Sequence, residues 1–234
     1  MRFDQPLLEG TLVRRYKRFL ADVKLRSGEE ITAHCANPGS LLGCAEPGNK
    51  VLVSIHEDPR RRFKHQVEIM YSGRTAVGVH TGRRSAVVTE AITQGKIGEL
   101  AGYATLKREV KAVRDNSIDM MLTGNGLRPC YITVRNVTLA YEGVGYYPDA
   151  IAAKGSQDMH VLTDLVREGS RAVIFLVVQR SDVESFRPAD HIDADFGLAF
   201  RDAVARGVEA MCYRAKVTRK GIELDKKIAV DLGA

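Results

Sequence analysis

Up to about residue 84, apolar and polar positions alternate in short runs. "TLVRRYK" (11–17), "FLADVKL" (19–25) and "EEITAHC" (29–35) alternate apolar with polar residues, the two-residue period of a half-buried strand, and "RSGEE" is a turn between the last two. "NPGSLLGCAEPGNK" (37–50), with two Pro-Gly pairs, is a turn-rich loop. "VLVSI" (51–55) and "HQVEIMY" (65–71) follow as strands, and "SGRTAVGVHT" (72–81) is a turn with its return strand. Five or six short strands in about eighty residues predict a small, OB-like β-barrel over residues 1–84.

The period then changes. "VVTEAITQGKIGEL" (87–100) spaces its apolar residues as a helix, and "YATLKREVKAV" (103–113) suits either a short helix or a strand. "SIDMMLTGNGLRPCYITVRNVTL" predicts a hairpin turning at Gly124-Asn125-Gly126. "QDMHVLTDLVREG" is an amphipathic helix stopped by Gly169, followed by the apolar strand "RAVIFLVVQ". "FGLAFRDAVARG" and "VEAMCYRAKV" repeat that order. Helices alternating with buried strands predict a second domain over 85–234, a central mixed sheet with helices packed on it. The fold class expected is a two-domain α+β chain.

Charge narrows the partner. The net charge is +6, and all of the excess lies in the first domain: fifteen Lys/Arg against nine Asp/Glu in residues 1–84, twenty of each beyond. "RRYKR" (14–18), "RRRFK" (60–64) and "RR" (83–84) are clusters that attract a polyanion. A small barrel with basic loops points to nucleic acid. No run approaches the roughly 20 apolar residues of a membrane helix, the longest being "AVIFLVV". The N-terminal stretch has no apolar signal region, and the four cysteines show no paired spacing, so reduced thiols and a cytoplasmic location are expected.

Candidate chemistry lies in the second domain. Asp119 sits in the apolar strand "SIDMML", with Glu109 ten residues earlier. Two carboxylates at the end of a sheet can hold a hard divalent cation such as Mg²⁺. Thr133 and Arg135 follow on the strand "CYITVRNVTL". No GxSxG, GxxxxGK[ST] or HExxH pattern competes.

The segments "RYKRFLADV", "HCANPGSLLGCAEPG", "ELAGYATLKREVK", "CYITVRNVTL", "GYYPDA", "SRAVIFLVV" and "FRPADHIDADF" closely resemble the sugar fermentation stimulation protein A (SfsA) family, almost end to end. The resemblance implies an oligonucleotide-binding barrel followed by a domain of the PD-(D/E)xK nuclease type. It also implies DNA binding without marked sequence preference and a regulatory role in sugar (maltose) metabolism. Glu109 matches the family's helical glutamate and Asp119 its metal-binding aspartate. Where the family has Glu-Val-Lys, this chain has Thr133-Val134-Arg135, and Ser117 replaces an arginine. After Gly155 the family's Gln-Lys-His-Leu is Ser156-Gln157-Asp158-Met159 here, and His80-Thr81 and Arg84-Ser85 replace an Asn-Thr and a Pro-Asn pair.

These exchanges have a direction. Threonine is a poor Mg²⁺ ligand, and arginine stays protonated, so it cannot act as a base but can grip phosphate with paired hydrogen bonds. Binding is therefore expected to survive without a cofactor, with Mg²⁺ binding weakened and hydrolysis impaired. Expected nucleic-acid contacts are Arg14, Arg15, Tyr16, Lys17, Arg18, His34, Asn37, Ser40 and, as a phosphate clamp, Arg135. Asp158 and His160 are candidates for relocated catalytic groups. The alternative is a divalent-metal nuclease using Glu109 and Asp119. A regulator acting through a protein or a small anionic ligand is the third class.

Overall fold

The computed structural model describes residues 1–111, 116–151 and 153–233. Strands β1 (Leu8–Tyr16), β2 (Leu20–Leu25), β3 (Glu30–His34), β4 (Lys50–Ile55) and β5 (His65–Ser72) close into a barrel. β1 pairs antiparallel with β2 and β4, β2 with β3 and β4 with β5, and a parallel β3–β5 pairing seals the ring. That is the connectivity of an OB fold. The alternation seen in the sequence is the mechanism: Leu12, Val23, Ile31, Val53 and Val67 all point inward. Each such burial contributes about 1.5–3 kcal/mol. At Gly10 a Cβ would sit 2.5 Å from Val23 Cγ1 and 2.8 Å from Lys24 O, so the strands cross closely only because that residue has none. β6 (Thr75–Gly78) folds back along β5.

The second domain runs through α1 (Arg84–Thr93), β7 (Thr105–Lys111), β8 (Ser117–Thr123), β9 (Cys130–Val137), β10 (Leu139–Tyr141), β11 (Val144–Tyr147), α2 (Ala153–Arg167), β12 (Arg171–Val178), β13 (Ser185–Pro188), α3 (Ala194–Ala205), β14 (Glu209–Thr218), β15 (Gly221–Lys227) and β16 (Ala229–Val230). A six-stranded mixed sheet has the order β15-β14-β12-β9-β8-β7, parallel only at β9–β12 and β12–β14. α1 covers one face over Val134, Phe175 and Tyr213; α2 and α3 cover the other over Ile174, Leu176 and Cys212. A four-stranded sheet, β10-β11-β13-β16, lies beside it. It was not evident in the sequence because its strands are two to four residues long.

Two expected elements differ. The helix predicted over 87–100 is α1 alone, which stops before Gly95 (φ +68°); a separate 3₁₀ turn, Gly98–Leu100, follows. Helix and turn bury Val87, Val88, Ala91, Ile97 and Leu100 in one cluster, which is why their spacing mimics a single helix. The ambiguous run 103–113 is strand β7, with its last two residues, 112 and 113, outside the described region. Residues 2 and 3 lie on the second domain, where Phe3 N–H donates to Lys220 O at 3.0 Å. Among the described residues no helix is long and apolar enough to cross a membrane.

The barrel is docked on the α/β domain. Gly78 N–H donates to Gln179 O (2.9 Å), Asn136 Nδ2 to Gly78 O (3.3 Å), and Leu41 N–H to Asp149 Oδ2 (2.9 Å).

Candidate functional site

The barrel brings two basic segments to one face. The β1–β2 turn carries Lys17, Arg18 and Phe19; the β4–β5 loop carries Arg60, Arg61, Arg62 and Lys64. These are the loops with which OB folds hold oligonucleotides. Between them runs a chain of contacts. Arg61 Nη2 donates to Gln66 Oε1 (3.2 Å), Gln66 Oε1 lies 3.1 Å from His34 Nδ1, and the His34 ring lies 6.2 Å from the ring of Phe19, which is 40% exposed. The turn continues through Arg18, whose Nη2 donates to Pro38 O at 3.1 Å. Lys17 (φ +48°) and Arg18 (φ +63°) both take left-handed backbone, which costs a non-glycine residue about 1–2 kcal/mol.

Several expected contacts have other employment. Arg15 donates to the carbonyls of Arg18, Asn37, Gly39 and Ser40, so it shapes the loop. Asn37 is buried, its Nδ2 on Val79 O (2.8 Å) and its Oδ1 accepting from Gly39 N–H (2.8 Å). Arg14 pairs with Asp22 at 2.8 Å and lies 4.7 Å over the Tyr16 ring. Tyr16 is half-buried, its hydroxyl donating to Asp22 at 3.2 Å. Asp22 is held below its ordinary pKa: burial acts upward and is outweighed by hydrogen bonds from Arg14, Thr32 and Tyr16. The "RR" cluster is half-buried and turned inward, Arg83 serving the buried carboxylate of Glu68 and Arg84 the half-buried one of Asp119.

At the end of the large sheet the structure gathers Asp119, Arg135, Asp158 and Arg84. The β8–β9 ladder stops at Met120–Ile132, and in its place Asp119 Oδ2 accepts the Val134 N–H at 2.8 Å. Asp119 Oδ1 receives Arg84 Nη2 (3.4 Å) and Ser85 Oγ (3.5 Å). Arg135 points to the α2 side, its Nη1 2.7 Å from Val134 O and 3.5 Å from Asp119 Oδ2, its Nη2 ion-paired with Asp158. Burial pulls the Arg135 guanidinium below its ordinary pKa, opposed by Tyr147 and Asp119. Burial likewise raises the Tyr147 hydroxyl, so it stays a proton donor. The expected phosphate clamp is thus largely occupied by protein acids. Thr133 beside it is 2% exposed, and its Oγ1 has no hydrogen-bond partner.

The remaining candidates lie apart. Glu109, which the resemblance matched to a helical glutamate, is exposed on the edge strand β7 with left-handed backbone (φ +53°). Ser117 is exposed, and Gln157 contacts Asn116 at 3.2 Å. His160 is exposed on α2 and adds slightly to Arg206, whose hydrogen bond is the main cause, in holding the Asp202 carboxyl below its ordinary pKa. Among the described residues no three His, Cys, Asp or Glu side chains converge as metal ligands. Asp119 and Asp158, both within reach of Arg135, already face guanidinium groups.

A cleft of about 270 Å³ opens between the barrel and the sheet end. Arg18 stands on its barrel wall, Lys154 on the first turn of α2, and Arg84, Arg135 and Tyr147 deeper in. Among the described residues Asp149 is the one carboxylate lining it, and its Oδ2 is committed to Leu41 N–H. A Cβ on Gly39 would overlap the Asp149 carboxylate, so only glycine lets the loop close on it. Lys154, Phe19, Tyr147 and Asp149 were not singled out from the sequence. An exposed aromatic amid the cations of "YKRF" was the available signal for Phe19; for the others, position alone decides.

Comparison with known proteins accords with this architecture. Residues 13–79 match the family model described as the SfsA N-terminal OB domain, and residues 82–221 the sugar fermentation stimulation protein RE domain. The sugar fermentation stimulation protein homolog of Geobacter sp. (strain M21) is 43% identical over 231 residues, 98% of this chain and 99% of that protein. The homolog of Thioalkalivibrio sulfidiphilus is 44% identical over 233 residues, 99% of this chain and 98% of that protein. The structure of Pyrococcus furiosus SfsA in complex with Ca²⁺ superposes with a TM-score of 0.89 at 20% identity, covering 99% of this chain and 98% of that one. With both family models matched in order and identity above 40% along nearly the whole length, the chain belongs to the sugar fermentation stimulation protein (SfsA) family.

Proposed function

We propose that this protein binds DNA without sequence preference, with a single strand lying across the barrel face and its end directed at the interdomain cleft. The observation that carries the proposal is the run of contacts from Arg61 through Gln66, His34 and Phe19 to Arg18. Cations along it suit phosphates, and an exposed ring suits base stacking, which tolerates any sequence. Family membership supplies sugar metabolism as the setting in which such a binder would act as a regulator.

The second reading is a nuclease dependent on a divalent metal, and the P. furiosus relative solved with Ca²⁺ gives it a specific motive. The residues of this chain fit that group poorly. Asp119 is already bonded to Val134 N–H and flanked by Arg84 and Arg135, Asp158 is paired, Glu109 is exposed on the edge strand, and Thr133 brings no charge. We therefore take hydrolysis to be impaired.

The test is fluorescence anisotropy with a labelled single strand, in chelator and in Mg²⁺, over a salt series. Affinity that persists in chelator, falls steeply with salt and drops at least tenfold in Lys17→Glu/Arg61→Glu is the expected result. Strand cleavage requiring Mg²⁺ and lost in Asp119→Ala would move the nuclease reading to first place.

A further inference from the structure

We propose that the interdomain cleft is a metal-independent receptor for a phosphate monoester, the terminal phosphate of a nucleic-acid strand. The assignment rests on the nucleic-acid reading above and specifies which part of the strand the cleft takes. At about 270 Å³ the cleft lies just below the ~300–1,000 Å³ of typical small-molecule sites, the scale of about one nucleotide.

Its charge is arranged for an anion. The deep guanidinium groups of Arg84 and Arg135 are balanced by Asp119 and Asp158, which leaves Arg18 and Lys154 on opposite walls against Asp149, the single lining carboxylate among the described residues. Lys154 has no ion pair among the described residues, and it sits on the first turn of α2, where the helix dipole disfavours a cation unless an anion is near. Arg18 is held at the mouth by the left-handed backbone of the β1–β2 turn, the kind of local strain that collects at ligand sites. Between these walls the Tyr147 hydroxyl adds a neutral donor. At the rim Ile151 is 81% exposed, an apolar surface for a sugar or base. A terminal phosphate carries about −1.5 to −2 charge at neutral pH, against one for an internal diester. The cleft therefore selects ends. The cations that accept the phosphate belong to the protein, so no metal is needed.

The experiment compares three otherwise identical labelled single strands, with a 5′-phosphate, a 3′-phosphate or hydroxyl ends, in chelator, and uses AMP as competitor. The expected result is that one phosphorylated strand binds about tenfold more tightly than the hydroxyl strand, a difference of ~1.4 kcal/mol. AMP removes that difference, and so do Lys154→Glu and Lys154→Ala, at an exposed position where folding is not at risk. Strands that bind equally well whatever their ends, with no competition by AMP, would overturn the cleft assignment and leave the DNA-binding function standing. AMP binding that depends on Lys154, with no strand binding at all, would overturn the nucleic-acid reading and make a free mononucleotide the source of the phosphate.

Discussion

Arg135 on β9 and Asp158 on α2 form an ion pair in which the side chains are only 11% and 10% exposed. The positive charge at the sheet end is thus a permanent guanidinium, locked to acids of the same chain. Removing one member of such a pair strands the other in a low-dielectric setting, at about 3–5 kcal/mol. Arg135→Ala should lose that much stability in urea unfolding, and adding Asp158→Ala should recover a large part of it. Purely additive losses in the double-mutant cycle would mean that the pair is not coupled.

Thr133 Oγ1 is buried without a partner. A hydroxyl left unsatisfied costs about 1–3 kcal/mol, whereas valine has nearly the same shape. Thr133→Val should therefore keep or raise the melting temperature. A loss above 1 kcal/mol would show that the hydroxyl has a ligand or water to bond.

Metal affinity should be obtainable by adding negative charge. The native protein should give no saturable heat on titration with CaCl₂, because Asp119 and Asp158 face Arg84 and Arg135. Thr133→Glu with Arg135→Lys adds a carboxylate beside Asp119 and removes the planar fork that holds Asp158. Oxygen ligands then outnumber their protein partners, and calorimetry should detect binding. Tight Ca²⁺ binding by the unaltered chain would refute the poor fit.

Acid should loosen the link between the domains. His80 Nδ1 accepts the Gly82 N–H at 3.0 Å, ahead of the 3₁₀ turn leading into α1. Burial lowers its pKa below the ordinary 6.5, with Glu68 opposing and Arg83 and His34 adding to the fall. With the folded value depressed, the unfolded chain takes up the proton first as pH drops, so stability is full above about 6.5 and declines toward the folded pKa. His56 is shifted the same way, again mainly by burial. Thermal melts from pH 7.5 to 5 should show this decline, and His80→Asn should flatten it. An unchanged slope in that variant would assign the decline elsewhere.

The closure of the barrel loop on the α/β domain depends on Gly39. A methyl group there overlaps the Asp149 carboxylate, and such overpacking costs typically ~1–3 kcal/mol. Gly39→Ala should lower stability, and Asp149→Ala in the same chain should relieve the overlap while still lacking the bond to Leu41 N–H. A Gly39→Ala protein as stable as the native one would show that the loop can shift away.

Much of the fold was legible locally. The alternation in "FLADVKL" and "EEITAHC" marked β2 and β3, because a side chain on every second position must face the barrel interior. Gly169 and Gly207 marked the ends of α2 and α3 through their left-handed backbone. The 87–100 run was over-read, since one core cluster can be filled by a helix and then a turn with the same spacing. That Thr133 and Arg135 lie on the strand following Asp119 was also visible in one dimension.

What the arginine touches was not. A basic residue in the sequence carries only a charge; whether that charge is surface, structural or spent depends on which acids the fold brings within hydrogen-bond reach. Tertiary structure decided that Arg83, Arg84 and Arg135 serve Glu68, Asp119 and Asp158, that Arg15 holds a loop together, and that Arg18 and Lys154 face one cleft from separate domains. Patterning determined the elements because burial acts on each strand and helix face by face. The site came from contacts between residues far apart in the chain, which no local pattern encodes.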